Sequence, residues 1–160
     1  MFIPSLDEIP SQPGTYILHL ILNAPTGLTI GQIGEFSLPA GNYLYVGSAH
    51  GSGGLRARVG HHIKINIQPR WHLDHLRPYA NIQAIWCLVS PQPLECVLAK
   101  HIAFSPGICM PVTGFGSSDC HNGCSAHFFH LTQGSCIEEI IDPFTISNPG
   151  KVFVIIKSSS

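Results

Sequence analysis

Residues Gly41 to His62, GNYLYVGSAHGSGGLRARVGHH, impose a strand, a loop and a helix in immediate succession. Gly41-Asn42 is a turn, and Tyr43, Leu44, Tyr45 and Val46 form the aromatic and β-branched run of a strand. The small residues Gly47-Ser48-Ala49 end it where another group can approach the backbone. Gly51, Gly53 and Gly54 make a flexible loop. Leu55, Val59 and Ile63 then recur every four residues, the stripe of an amphipathic helix, with Arg58 and His62 on a second row. The loop lacks the Lys-Ser/Thr of a nucleotide-binding loop and the spacing of a dinucleotide fingerprint, so a long turn is its simplest reading.

An earlier segment, Pro13-Gly14-Thr15-Tyr16-Ile17-Leu18, is a turn followed by a strand with its own tyrosine. Gly14-Thr15-Tyr16 and Tyr45-Val46-Gly47 together resemble the paired signature of the GIY-YIG nuclease superfamily, with Thr15 in place of the usual middle residue. Arg70-Trp71-His72-Leu73-Asp74-His75-Leu76 and Gly114 to Cys120 resemble motifs of an uncharacterised branch, domain of unknown function 123, sometimes fused to DNA glycosylases of the endonuclease III type. The similarity runs from about Pro13 to about Leu131. It implies an α+β fold, a small, mostly antiparallel mixed sheet flanked by helices. One domain over 1–160 is expected, with its core at about 13–131 and a late strand at about 151–157.

The resemblance also implies chemistry. Glu95 matches the single metal-binding glutamate, taking Mg or Mn, and Arg58 matches the arginine that meets the scissile phosphate. Tyr16 and Tyr45 match the motif tyrosines, one of which takes the proton from water. A free phenol has a pKa of about 10 and needs a nearby cation to act as a base; His62 or His72 is the alternative, because imidazole titrates in the useful range. Gly47, Ser48, Arg56 and His62 border the same segment and are expected to meet phosphate, as are Ser117 and Ser118 in the later loop. A nuclease acting on DNA more readily than on RNA, with a DNA-repair partner, is what the branch's fusions imply. A binding module without turnover on the same scaffold is the alternative.

Composition limits these expectations. Charged residues are only 11% of the chain and the net charge is −1, which argues against a broad nucleic-acid footprint. The cations concentrate locally, with Arg56, Arg58, Lys64, Arg70 and Arg77 in one segment whose only acid is Asp74. No apolar run is long enough to span a membrane, and no basic, apolar leader is apparent, so a cytoplasmic location is expected. The six cysteines are then read as reduced thiols, Cys87 and Cys96 as small core residues. Cys120, Cys124 and His127 have zinc-ligand spacing, with Asp119, His130 or Cys109 as a fourth ligand. A structural zinc site normally shows two clear pairs, so a glycine-containing loop with buried thiols is favoured over zinc.

The remaining elements follow from periodicity. Strands are expected at Thr15–Leu22, Ile82–Val89, Phe128–Leu131 and Lys151–Lys157, and short extended pieces at Leu28–Ile33 and Gly34–Leu38. Helices are expected at Leu55–Ile65, Arg70–Leu76 and Leu94–Phe104, with a loop from Ser105 to His127 and a frayed end at Ser158–Ser160.

Overall fold

The computed structural model describes residues 4–65, 68–147 and 152–157. Lys151 and the expected frayed end at Ser158–Ser160 lie outside the described residues.

The alternation of Tyr16, Leu18 and Leu20 with Ile17 and His19 becomes strand β1, Gly14–Leu22. Two short strands follow, β2 (Thr26–Ile30) and β3 (Gly34–Leu38), which pair as a separate hairpin. The second tyrosine segment becomes β4, Gly41–Ala49, antiparallel to β1. Its register sets Tyr16 opposite Gly47 and Leu18 opposite Tyr45. Then come α1 (Gly54–Ile63), α2 (His72–Leu76), β5 (Ala80–Val89) and α3 (Glu95–Ala103). The chain continues through β6 (Ile108–Cys109), β7 (Phe128–Leu131), α4 (Ile137–Ser147) and β8 (Val152–Lys157).

The main sheet has the order β6-β7-β4-β1-β5-β8. Every pairing among the described residues is antiparallel, so the protein is α+β with both tyrosine strands at the sheet's centre. One sheet face packs Tyr16, Leu18 and Tyr45 against Leu55 and Val59 of α1 and Leu73 and Leu76 of α2. The other packs Ile17, Val46 and Trp86 against Leu98 and Ile102 of α3 and Ile140 and Phe144 of α4. Burial on both faces explains why β1 reads as nearly continuous apolar sequence.

Helix α4 was not anticipated from sequence. Pro143 sits inside it and removes a backbone donor, a local signal against helix. Burial of Ile140, Ile141 and Phe144 against α3 holds the segment in place.

The glycine loop before α1 has a structural cause. A Cβ on Gly54 would lie 2.2 Å from the Ser11 carbonyl oxygen, and its φ is +59°. The opening amides of α1 are spent there: Leu55 N donates to Gln12 O at 3.0 Å and Arg56 N to Pro10 O at 2.9 Å. This helix start clasps the chain's own lead-in and is not an anion cradle.

Candidate active site

Five segments converge on a cleft of about 320 Å³. β1 contributes Tyr16; β4 contributes Tyr45, Gly47 and Ser48; α1 contributes Arg58; α3 contributes Glu95; and the loop before β7 contributes Gly116, Asp119, Cys120 and His127. Trp71 and His50 complete the wall. The tyrosine rings lie 6.3 Å apart between centroids. Gly47 makes room for Tyr16, because a Cβ there would fall 2.2 Å from the phenol oxygen. Arg58 stacks over Trp71, its guanidinium carbon 4.0 Å from the ring centroid. That cation–π contact fixes the plane of the guanidinium fork.

Behind Tyr16 lies a buried relay. Asp74 Oδ1 accepts from His62 Nδ1 at 3.2 Å, and His62 Nε2 lies 2.9 Å from the Tyr16 hydroxyl. An ionised carboxylate can only accept. His62 therefore carries its proton on Nδ1, and Nε2 accepts the Tyr16 O–H. The other oxygen, Oδ2, accepts from His61 Nε2 at 2.8 Å and from the amides of Arg70 and Trp71 at 2.9 and 3.1 Å. Burial would raise this carboxyl, but donors from His62, His61 and the two amides outweigh it and hold it far below the usual carboxylate range. Burial lowers His62 despite Asp74. Burial also pushes both tyrosines upward, with the Glu95 charge adding to the effect and Arg58 opposing it. Neither phenol is ionised near neutrality without a further cation.

Several expected phosphate contacts lie elsewhere. His62 is fully buried with both ring nitrogens occupied, so direct phosphate contact is closed to it. Arg56 is outside the cleft wall, its Nε donating to Ile9 O at 2.8 Å. Arg77 is 5% exposed, and its guanidinium clamps the carbonyls of His62, Ile63 and Ala80. His72 also lies outside the cleft wall, its Nδ1 accepting from the Gly116 amide at 2.9 Å. Ser117 is buried and donates to Ser125 O, and Ser118 is exposed outside the wall. Of the basic segment only Arg58 lines the cleft, while Arg56 and Arg77 donate to backbone carbonyls. Trp71 is a cleft residue that the sequence did not single out for that place, and Asp119 lies in the segment Phe115–Cys120 that the resemblance set near the active face.

Glu95 has a second neighbour. Its Oε1 accepts from His127 Nδ1 at 2.9 Å. Burial alone would lower His127, but this carboxylate raises it. The far ring nitrogen, Nε2, lies 3.9 Å from Cys96 Sγ, which is 3.1 Å from Cys120 Sγ. With Cys124 these form a four-donor group, all within 4.8 Å of one another, that could hold a metal ion. Cys96 is therefore not the core thiol expected; it is half-buried and faces the loop cysteines, whereas Cys87 is fully buried. None of Asp119, His130 and Cys109 belongs to the group. A second metal-sized group, His61, His62 and Asp74, is the relay described above, in which Asp74 already accepts from both histidines.

The family model described as "Domain of unknown function DUF123" matches residues 15–146. The chain belongs to that family. The DUF123 match runs from β1 through α4 and includes every cleft residue. No curated protein and no solved structure matches the chain. No helix among the described residues is long and apolar enough to cross a membrane.

Proposed function

We propose that the cleft hydrolyses phosphodiester bonds in nucleic acid, DNA before RNA, in the manner of the GIY-YIG nucleases that the motifs resemble. The observation that carries this is the meeting of Tyr16, Tyr45, Arg58 and Glu95, from four separate elements, on one 320 Å³ concavity. Glu95 and Asp119 both line the cleft and are the carboxylates that would hold a Mg or Mn ion, since such ions bind through one or two carboxylates plus substrate phosphate. When bound, the ion would neutralise phosphate charge and support the leaving oxygen.

The chain's own groups do the rest. Arg58, held flat on Trp71, pairs with phosphate oxygens. Tyr16 takes a proton from the attacking water while passing its own to His62 Nε2, and Asp74 steadies the resulting imidazolium. The relay supplies what the raised phenol pKa denies: Tyr16 never has to exist as a free phenolate. His62 therefore serves as base through Tyr16 and has no direct contact with substrate. A DNA-repair protein as partner is part of this proposal.

The test is an assay on assorted DNA and RNA structures with Mg or Mn, comparing the native chain with Tyr16→Phe and Glu95→Gln. Cleavage should fall by roughly 100-fold or more in Tyr16→Phe, and Glu95→Gln should lose its metal dependence. Equal rates in all three would refute the assignment. Binding without cleavage by the native chain would select a non-catalytic binding module.

A further inference from the structure

We propose that Cys96, Cys120, Cys124 and His127 form a closed structural zinc site, with the cleft carboxylate Glu95 as the outer support of its histidine. The inference does not rest on the cleavage reading.

Geometry comes first. With Zn–S near 2.3 Å and Zn–N near 2.0 Å, tetrahedral donors stand about 3.5–3.8 Å apart. Here the separations bracket that value: 3.1 Å between Cys96 and Cys120, 3.9 Å between Cys96 and His127, and none above 4.8 Å. Shifts of about an ångström or less would close the shell, since side-chain rotation alone moves a thiol that far. The donor chemistry points the same way. Three thiols and an imidazole suit zinc, whereas magnesium takes oxygen ligands.

The histidine is also correctly prepared. Nδ1 is committed to Glu95 Oε1 at 2.9 Å, and Nε2 faces the thiols. A carboxylate on the distal nitrogen is the usual outer support of a zinc-bound histidine, fixing tautomer and ring plane.

Four protein ligands leave no open position, so this zinc would be structural. Its place gives it a task. Residues 110–127 form no helix or strand, yet Gly116, Asp119 and His127 wall the cleft. Zinc would tie that loop to the first turn of α3, the turn that also presents Glu95. The cleft wall and its carboxylate would then be positioned by one clamp.

The experiment uses the full chain purified without added metal or chelator. Zinc is counted by elemental analysis, thiols by labelling after denaturation with chelator, and disulfides by non-reducing mass mapping. Cobalt(II) is exchanged in, and its visible spectrum is recorded. One zinc per chain, six reactive thiols and tetrahedral cobalt–thiolate bands are expected. Cys124→Ser should lose the metal, and Cys136→Ser, outside the cluster, should keep it. Glu95→Gln should keep one zinc but yield it to a competing chelator at roughly 10- to 100-fold lower affinity. A chain with six free thiols that takes up neither zinc nor cobalt would overturn the site. So would a Cys96–Cys120 disulfide in the purified protein. Unchanged zinc affinity in Glu95→Gln would overturn the supporting role of that carboxylate. None of these readouts involves nucleic acid, so failure here is distinct from failure of the nuclease reading.

Discussion

Replacing Asp74 with asparagine changes one atom type at the centre of the relay. Both side chains have the same shape, but Asn offers a single acceptor oxygen where Asp offers two. The best fit puts that oxygen at the Oδ2 position, where it keeps His61 Nε2 and the Arg70 and Trp71 amides. The new NH₂ then faces His62 Nδ1, whose bond to Oδ1 is lost. Three bonds drop from charge-assisted to neutral, and the fourth survives only by reversing, the NH₂ donating to Nδ1 of the other tautomer, at about 1 kcal/mol each for a total of about 4 kcal/mol. For a domain of this size the melting temperature should fall by roughly 8–16 °C.

The pH dependence has a definite sign. The folded carboxyl titrates below its unfolded value of about 3.9. Its contribution is therefore full above that value and is lost as pH falls through the folded pKa. The gap between native and Asp74→Asn melting temperatures should hold from neutrality to about pH 4 and close below it. His62 should also switch tautomer, with Nε2 protonated and no longer able to accept from Tyr16. Ring-nitrogen NMR shifts report the switch, and thermal melts across pH report the energy. A variant within about 1 kcal/mol of native, or one that keeps the Nδ1–H tautomer, would refute the charge-centred relay.

Four further outcomes are expected. Gly47→Ala would drive a methyl into Tyr16, costing about 1–3 kcal/mol and breaking the contact with His62, as measured by thermal melts and the His62 ring shifts. Thr15→Val should stabilise by about 1 kcal/mol, because Thr15 Oγ1 is buried without a partner among the described residues; chemical denaturation measures it. Arg58→Lys keeps the charge but loses the planar stack on Trp71, so oligonucleotide affinity should drop by roughly 10-fold and lose its coupling to Trp71→Ala in a double-mutant cycle. Burial holds His62 below its ordinary value, so the unfolded chain binds that proton first. Stability should thus decline as pH drops below about 6.5, and His62→Gln should lessen the decline in melts between pH 7 and 5.

Much of the fold is written locally. The strands around Tyr16 and Tyr45, the Phe128–Leu131 return and the Leu55, Val59 stripe all follow from side-chain period, because alternation and four-residue spacing are properties of neighbours. Helix α4 carried its own stripe in Ile137, Ile140, Ile141 and Phe144, but Pro143 spoke against it, and only packing on α3 outweighed that. The cleft was legible through motif order: Tyr16, Tyr45, Arg58 and Glu95 meet in one wall. Which basic side chains faced it was not, since helical spacing cannot say that Arg77 folds inward onto three carbonyls.

The chain alone therefore determined the longer strands, helices α1 to α3 and the order of the motif residues, all set by short-range pattern, whereas β6 forms inside the expected loop from Ser105 to His127 by pairing with β7. Tertiary structure decided the partnerships. Asp74, an isolated acid among cations in the sequence, becomes the acceptor that orients His62 and Tyr16. Cys96, apparently a core thiol, joins Cys120, Cys124 and His127 across at least 24 positions. Hydrogen bonds and ligand shells form between atoms a few ångströms apart in space, and separation along the chain carries no trace of them until the sheet closes.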